Sequence, residues 1–260
     1  MTVPPAPTPR TSAPDPAAPA PRTPAPDPAA PAPHTPAPDP AAPAPRTPAP
    51  DSAAPAPRTP APAPAAPATA SWPDLLDAAT DDCLAALLAG AGQDWSRPAH
   101  DLDWTCRATL DHLALGLTGY TGLLVARPRD RYVTLFASLD PQAPVPACLE
   151  GLRIAASLLA STVRDSPPDA RAWHPWGHSD PAGFAAMGIT ELVVHTYDVT
   201  RALGVAWTPR DGLAAAVLGR LFPDAPRGHG PADTLLWCTG RVPLPGLPRR
   251  AEWQWDGGVR

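Results

Sequence analysis

The chain contains only three glutamates, Glu150, Glu191 and Glu252, and Glu191 stands four residues before a histidine, His195. At 100° per residue, side chains four apart project about 40° from one another, so Glu191 and His195 leave the same face of any helix that carries them. That face is apolar: Phe184, Gly188 and Ala202 fall beside the pair, with Leu192 and Val194 at its margins. An ionised carboxylate turned toward a core is costly unless it is paired, hydrogen-bonded or ligating a metal. Two ligands at i and i+4 can share one ion, and they then need at least one further donor. His112, flanked by Leu110, Leu113 and Leu115 in an earlier apolar stripe, is the best candidate. His/Glu/His is a set of three protein ligands, the number typical of catalytic sites because one position stays open to water or substrate. The residues alone leave two other readings open. His112 can be a hydrogen-bonded core histidine, and Glu191 with His195 an internal pair in a purely structural bundle.

Other polar residues stand near these three. Asp198, one turn beyond His195, either orients that ligand from behind or pairs with Arg201. Asp111 points about 100° away from His112 and is expected to face solvent. His174 and His178 bracket Pro175, Trp176 and Gly177 in a loop, where they either line a pocket mouth or are ordinary exposed loop histidines, and His100 and His229 have similar surroundings.

The elements that must position these residues are helical. Ser71-Trp72-Pro73-Asp74 is a capping-box start, predicting a first helix over 72–91 ahead of Gly92. Thr105 caps a second helix carrying Leu110, Leu113, Leu117, Tyr120 and Leu124, which stops before Pro128. A third, about 146–165, places Leu149, Leu152, Ile154, Leu158, Leu159 and Val163 on its apolar side. Asp180-Pro181 opens a fourth that runs to Leu203 with Gly204 as its C-terminal cap. Thr208-Pro209-Arg210-Asp211 opens a fifth ending before Pro223, and Pro231 opens a short sixth. Trp253 and Trp255, alternating around Gln254, fit a small strand or a covering loop equally well. The expected fold class is all-α, a four-helix bundle with extra short C-terminal helices.

Ahead of the bundle lies a different material. The first 70 residues hold 26 of the 43 prolines and no aromatic residue, Leu or Ile, and an R-T-P-A-P-D-P-A-A-P-A-P unit recurs every 12 residues from Arg10-Thr11 to Arg58-Thr59. Such a tract cannot bury enough apolar surface to offset its ordering entropy, so it is expected to be a disordered, semi-extended arm, with residues 71–260 as the folded domain. The tract is neutral, which leaves the net charge of −5 on the domain and disfavours electrostatic binding of nucleic acid. No apolar run approaches the roughly 20 residues of a membrane span, and the N-terminus lacks a basic stretch followed by an apolar one, so a cytoplasmic location is expected. Cys83, Cys106, Cys148 and Cys238 are far apart and read as buried free thiols. The chain has no G-x-S-x-G, Walker loop, dinucleotide fingerprint or H-E-x-x-H, and too few glutamates for a di-iron carboxylate bundle.

Three segments carry a family resemblance: Asp94-Trp95-Ser96, Trp104-Thr105-Cys106-Arg107-Ala108-Thr109-Leu110-Asp111-His112-Leu113 and Glu191-Leu192-Val193-Val194-His195-Thr196-Tyr197-Asp198. Over about residues 72–240 the chain resembles the mycothiol-dependent maleylpyruvate isomerase family, part of the DinB-like metal-binding four-helix bundle superfamily. The resemblance implies that His112, Glu191 and His195 bind a divalent metal, usually zinc, although two histidines and a carboxylate also suit Fe(II). It further implies a low-molecular-weight thiol of the mycothiol type as cofactor, a small electrophilic substrate, and a thiol-transferase or isomerase activity. Too little chain follows the sixth helix for the α/β domain of isomerase-type members, so maleylpyruvate is not the expected substrate. The alternative is a metal-binding bundle that serves as a non-catalytic binding or stress-response module.

Overall fold

The computed structural model describes residues 70–260; the Pro/Ala-rich arm of the sequence reading lies outside the described residues. Six helices follow in order: α1 (Trp72–Ala89), α2 (Cys106–Ala126), α3 (Val145–Asp165), α4 (Pro181–Leu203), α5 (Asp211–Leu221) and α6 (Pro231–Cys238). No strand occurs among the described residues, and no helix there is long and apolar enough to cross a membrane.

The helix starts follow from local chemistry. Ser71 accepts a hydrogen bond from the Asp74 amide while the Asp74 carboxylate accepts one from the Ser71 backbone, which completes a capping box ahead of Pro73. Thr105 accepts from the Ala108 amide, and Asp180 from the Gly183 amide. Gly204 closes α4 at φ 72°, a conformation that glycine adopts without steric cost. α1 ends two residues earlier than its periodicity predicts, at Ala89, and Gly90 rather than Gly92 is the cap. The reason is tertiary: a Cβ at position 90 would lie 2.9 Å from Leu203 Cδ1 at the end of α4. The chain must turn where the two helices approach, and the Trp95 indole then donates to the Gly90 carbonyl.

α1 and α2 each pack against both α3 and α4, and α5 packs against α4 and α6. α4 is therefore covered from several sides, and its buried residues run almost without interruption from Pro181 to Thr200. Leu76, Leu87, Leu110, Leu113, Leu117, Leu152, Leu159, Phe184, Met187 and Ile189 fill the core. Each contributes roughly 1.5–3 kcal/mol against exposure. On α3 the apolar stripe is narrower than the sequence implies. Leu149, Leu152, Leu159 and Val163 are buried together with Ala155, Ala156 and Ala160, whereas Ile154 and Leu158 are 61% and 50% exposed.

The C-terminal segment is an extended cover rather than a strand. The Asp256 amide donates to the Leu221 carbonyl and the Gly257 amide to that of Trp176, which seats the buried Trp255 against Trp176 with ring centroids 4.7 Å apart. Arg220, buried on α5, donates to the Asp180 carboxylate at 2.8 Å and so ties α5 to the first turn of α4.

Candidate metal centre

His112 sits on the side of α2 that faces α4, and α4 carries Glu191 and His195. The Glu191 Oε2 atom is 3.5 Å from His112 Nε2 and 3.3 Å from His195 Nε2. The donor atoms of all three side chains lie within 4.8 Å of one another. Donors about 2.0–2.1 Å from a zinc-sized ion stand about 3.3 Å apart in a tetrahedron, so the carboxylate-to-imidazole separations fit a shared ion. The sequence places the three residues on apolar faces, and the packing of α2 on α4 brings them together.

Each donor is held by a second group. Tyr120, two helical turns beyond His112, donates from its hydroxyl to Glu191 Oε1 at 3.1 Å and leaves Oε2 as the oxygen shared by both imidazoles. His195 Nδ1 lies 3.1 Å from Asp198 Oδ2. Asp198 in turn receives Arg241 Nη2 at 2.8 Å on Oδ2 and Arg241 Nε at 3.2 Å on Oδ1. Of the two partners open to Asp198, His195 rather than Arg201 is the one it meets. Arg201 lies elsewhere, with its guanidinium 6.0 Å from the centroid of the Tyr197 ring.

The electrostatics follow from this geometry. Burial alone would raise the Glu191 carboxyl, but the hydrogen bonds and charges of His112 and His195 outweigh it and hold the group well below the usual carboxylate range. Burial likewise opposes charge on His195, and the bonds to Asp198 and Glu191 overcome it, pushing the imidazole up to about 9. Tyr120 is pushed well above the ordinary phenol range, first by burial and then by the charge and hydrogen bond of Glu191, so it stays a neutral donor.

Aromatic side chains pack against His112 and, separately, around His174. Trp104, 47% exposed, lies 4.8 Å from the His112 ring, and Tyr132, 46% exposed, packs edge-on against Trp173 and His174. His174 is no exposed loop histidine. It is 5% exposed and enclosed by Tyr120, Tyr132, Trp176 and Trp255. Its Nδ1 accepts the Trp176 amide, and burial lowers its pKa to about 4 against the opposing charge of Glu191. His178 is exposed and meets the Arg129 carbonyl, while His100 pairs with Asp101. His178, His100 and His229 are not part of the triad. Asp111, expected to face solvent, is instead half-buried. It accepts from the Leu139 amide and the Ser138 hydroxyl and pins the connection between α2 and α3.

Sequence reasoning counted Tyr120 only as a core residue and did not single out Arg241. A tyrosine on a leucine stripe does carry one signal, since its buried hydroxyl needs a partner. Arg241 carries none. All four cysteines are buried free thiols, as read from their spacing. A concavity of about 870 Å³ between α1 and α3 includes none of the triad.

No curated protein and no solved structure matches the chain. Residues 76–200 match the family model described as mycothiol maleylpyruvate isomerase N-terminal domain. The match runs from the first turns of α1 to Thr200 on α4, so it includes His112, Glu191, His195 and Asp198 and stops short of Arg241. The four-helix part of this chain, with its converging histidines and glutamate, is thus similar to the mycothiol maleylpyruvate isomerase N-terminal domain family.

Proposed function

We propose that His112, Glu191 and His195 hold one divalent cation, zinc by preference, and that the protein uses it with a thiol of the mycothiol type to carry out thiol transfer to, or thiol-assisted isomerisation of, a small electrophile. The observation that carries this reading is the meeting of three donors from α2 and α4 at one point, inside a domain whose family description names mycothiol. A divalent cation there supplies the positive charge that lowers the pKa of a thiol placed beside it. The protein groups determine how much of that charge remains. Two neutral imidazoles and one carboxylate cancel a single charge, which leaves the centre attractive to an anionic sulfur. Asp198 keeps the His195 proton on Nδ1, and Tyr120 keeps Glu191 Oε1 occupied. Trp104, exposed beside His112, offers flat apolar surface to a small substrate and limits the access of water.

The test is direct. Protein purified without a histidine tag is expected to contain one divalent ion per chain. His112→Ala, Glu191→Ala and His195→Ala are each expected to weaken its binding by roughly a hundredfold or more, since loss even of outer hydrogen-bond partners costs about 10–100-fold. Adding mycothiol to the Co(II)-loaded protein is expected to produce a sulfur-to-metal charge-transfer band, and thiol addition to a small electrophile should disappear in Glu191→Ala. Equal metal content in the wild type and all three variants would place the ion elsewhere. A full metal site with no spectral response to several thiols would favour the binding-module alternative.

A further inference from the structure

Asp198 presents an unusual demand. It is 2% exposed, and its carboxylate would be a costly buried charge if His195 were its only partner. Arg241 answers that demand from a different part of the chain, past the end of α6 and beyond the residues that match the family. Its fork spans both carboxylate oxygens, with Nε on Oδ1 at 3.2 Å and Nη2 on Oδ2 at 2.8 Å. Arg241 is itself fastened. Its amide donates to the Leu236 carbonyl at 2.7 Å, its Nη1 to the Thr239 carbonyl at 2.7 Å, and its guanidinium lies 5.7 Å from the centroid of the Trp253 ring. The turn after α6 therefore fixes the guanidinium, and the guanidinium fixes both the tilt and the rotation of the Asp198 carboxylate.

We infer that Arg241 is a positioning residue of the candidate metal centre: by clamping Asp198 it holds His195 with the proton on Nδ1 and Nε2 facing Glu191 and His112, so the centre of the four-helix domain is completed by chain outside that domain. This rests on the reading that the triad holds a metal ion. The physical basis is the asymmetry of the imidazole. Only one ring nitrogen can face the ion, and the acceptor behind the other decides which. A carboxylate free to rotate would hold the ring loosely, whereas one gripped at both oxygens by a planar fork cannot rotate without breaking two charge-assisted bonds.

The experiment uses the full chain and Co(II) as the probe, with affinity read by competition against a chelator and the ligand field read from the visible bands. Arg241→Met, which retains most of the side-chain volume without the fork, is expected to bind Co(II) about 10–100-fold more weakly than wild type, with altered visible bands and unchanged helical circular dichroism. Arg241→Lys is expected to recover only part of the loss, because one ammonium cannot bridge two oxygens in a fixed plane. Arg260→Met serves as control, since Arg260 pairs with Asp256 within the C-terminal segment and makes no bond to the turn that carries Arg241, and it should bind Co(II) as wild type does. An Arg241→Met protein that is folded and retains wild-type affinity and bands overturns the inference, as does an equal loss in Arg260→Met. The unaltered protein provides a measurement independent of variant folding. In its zinc-loaded form the imidazole ¹⁵N spectrum should show His195 protonated at Nδ1 and metal-bound through Nε2, and the opposite assignment overturns the inference. If the wild type binds no stoichiometric ion, the metal reading itself fails, and that result is visible before any variant is compared.

Discussion

At the scale of single residues, the centre combines groups whose charge states depend on one another. In the metal-free protein His195 is raised to about 9, and a histidine raised above its unfolded value adds stability that is complete below about 6.5 and is lost as pH rises through 9. Metal binding has the opposite sign, because the ion must displace the Nε2 proton. Its affinity is expected to rise by about tenfold per pH unit between 6.5 and 9, as a chelator competition at several pH values would show. A pH-independent affinity would mean that His195 does not ligate. His174 shifts the other way. Lowered to about 4, it is neutral in the native state and protonated in the unfolded state between pH 4 and 6.5. Its contribution is therefore complete above 6.5, and the folding constant is expected to drop about tenfold per unit as pH falls through that window. His174→Asn retains an acceptor for the Trp176 amide and should flatten this part of a urea-melt pH series. Tyr120→Phe removes the donor to Glu191 Oε1 and is expected to weaken metal binding roughly tenfold, measurable by the same competition.

At the scale of helices, stability depends on how α4 is enclosed. Gly183 in its first turn has no room for a side chain, since a Cβ there would overlap Ser179 Oγ and the Arg220 guanidinium. Gly183→Ala should therefore break the buried Arg220–Asp180 pair and cost about 3 kcal/mol or more by chemical denaturation, although alanine is the better helix former. A loss below about 1 kcal/mol would mean that α5 relaxes around the methyl group. α3 gives a contrast within one element. Leu159→Ala is expected to cost about 2–5 kcal/mol, while Ile154→Gln and Leu158→Gln, on the exposed side, should each stay within about 0.5 kcal/mol.

At the scale of the whole molecule, two materials share one chain. The arm's composition provides no Leu, Ile or aromatic side chain for a core, so a protein beginning at Ser71 is expected to melt at the same temperature as the full chain. A large drop on deletion would show that the tract docks. Residues 70–260 form a bundle whose candidate centre draws on two regions: His112, Glu191 and His195 come from α2 and α4, while the brace behind His195 comes from residue 241. The C-terminal helices and their extended cover are thus joined to the centre, through Arg241 on one side and through the contact of Trp255 with His174 on the other.

What could be read before folding was what local interactions decide. Ser71, Thr105, Asp180-Pro181 and Gly204 mark helix ends because a cap satisfies backbone groups within four residues of itself, so three of the four bundle helices are written in short segments, and the apolar period of α3 completes the all-α class. The common face of Glu191 and His195 is local in the same sense, being a matter of helical pitch. Tertiary packing alone decided the rest. It stopped α1 at Gly90, turned Ile154 and Leu158 outward, buried His174 under the tryptophans, and brought His112 and Tyr120 to Glu191 across more than 70 positions. Arg241 is the clearest case. It sits 43 residues beyond Asp198, and no periodicity or motif links the two, because their bond exists only where the turn after α6 meets the side of α4.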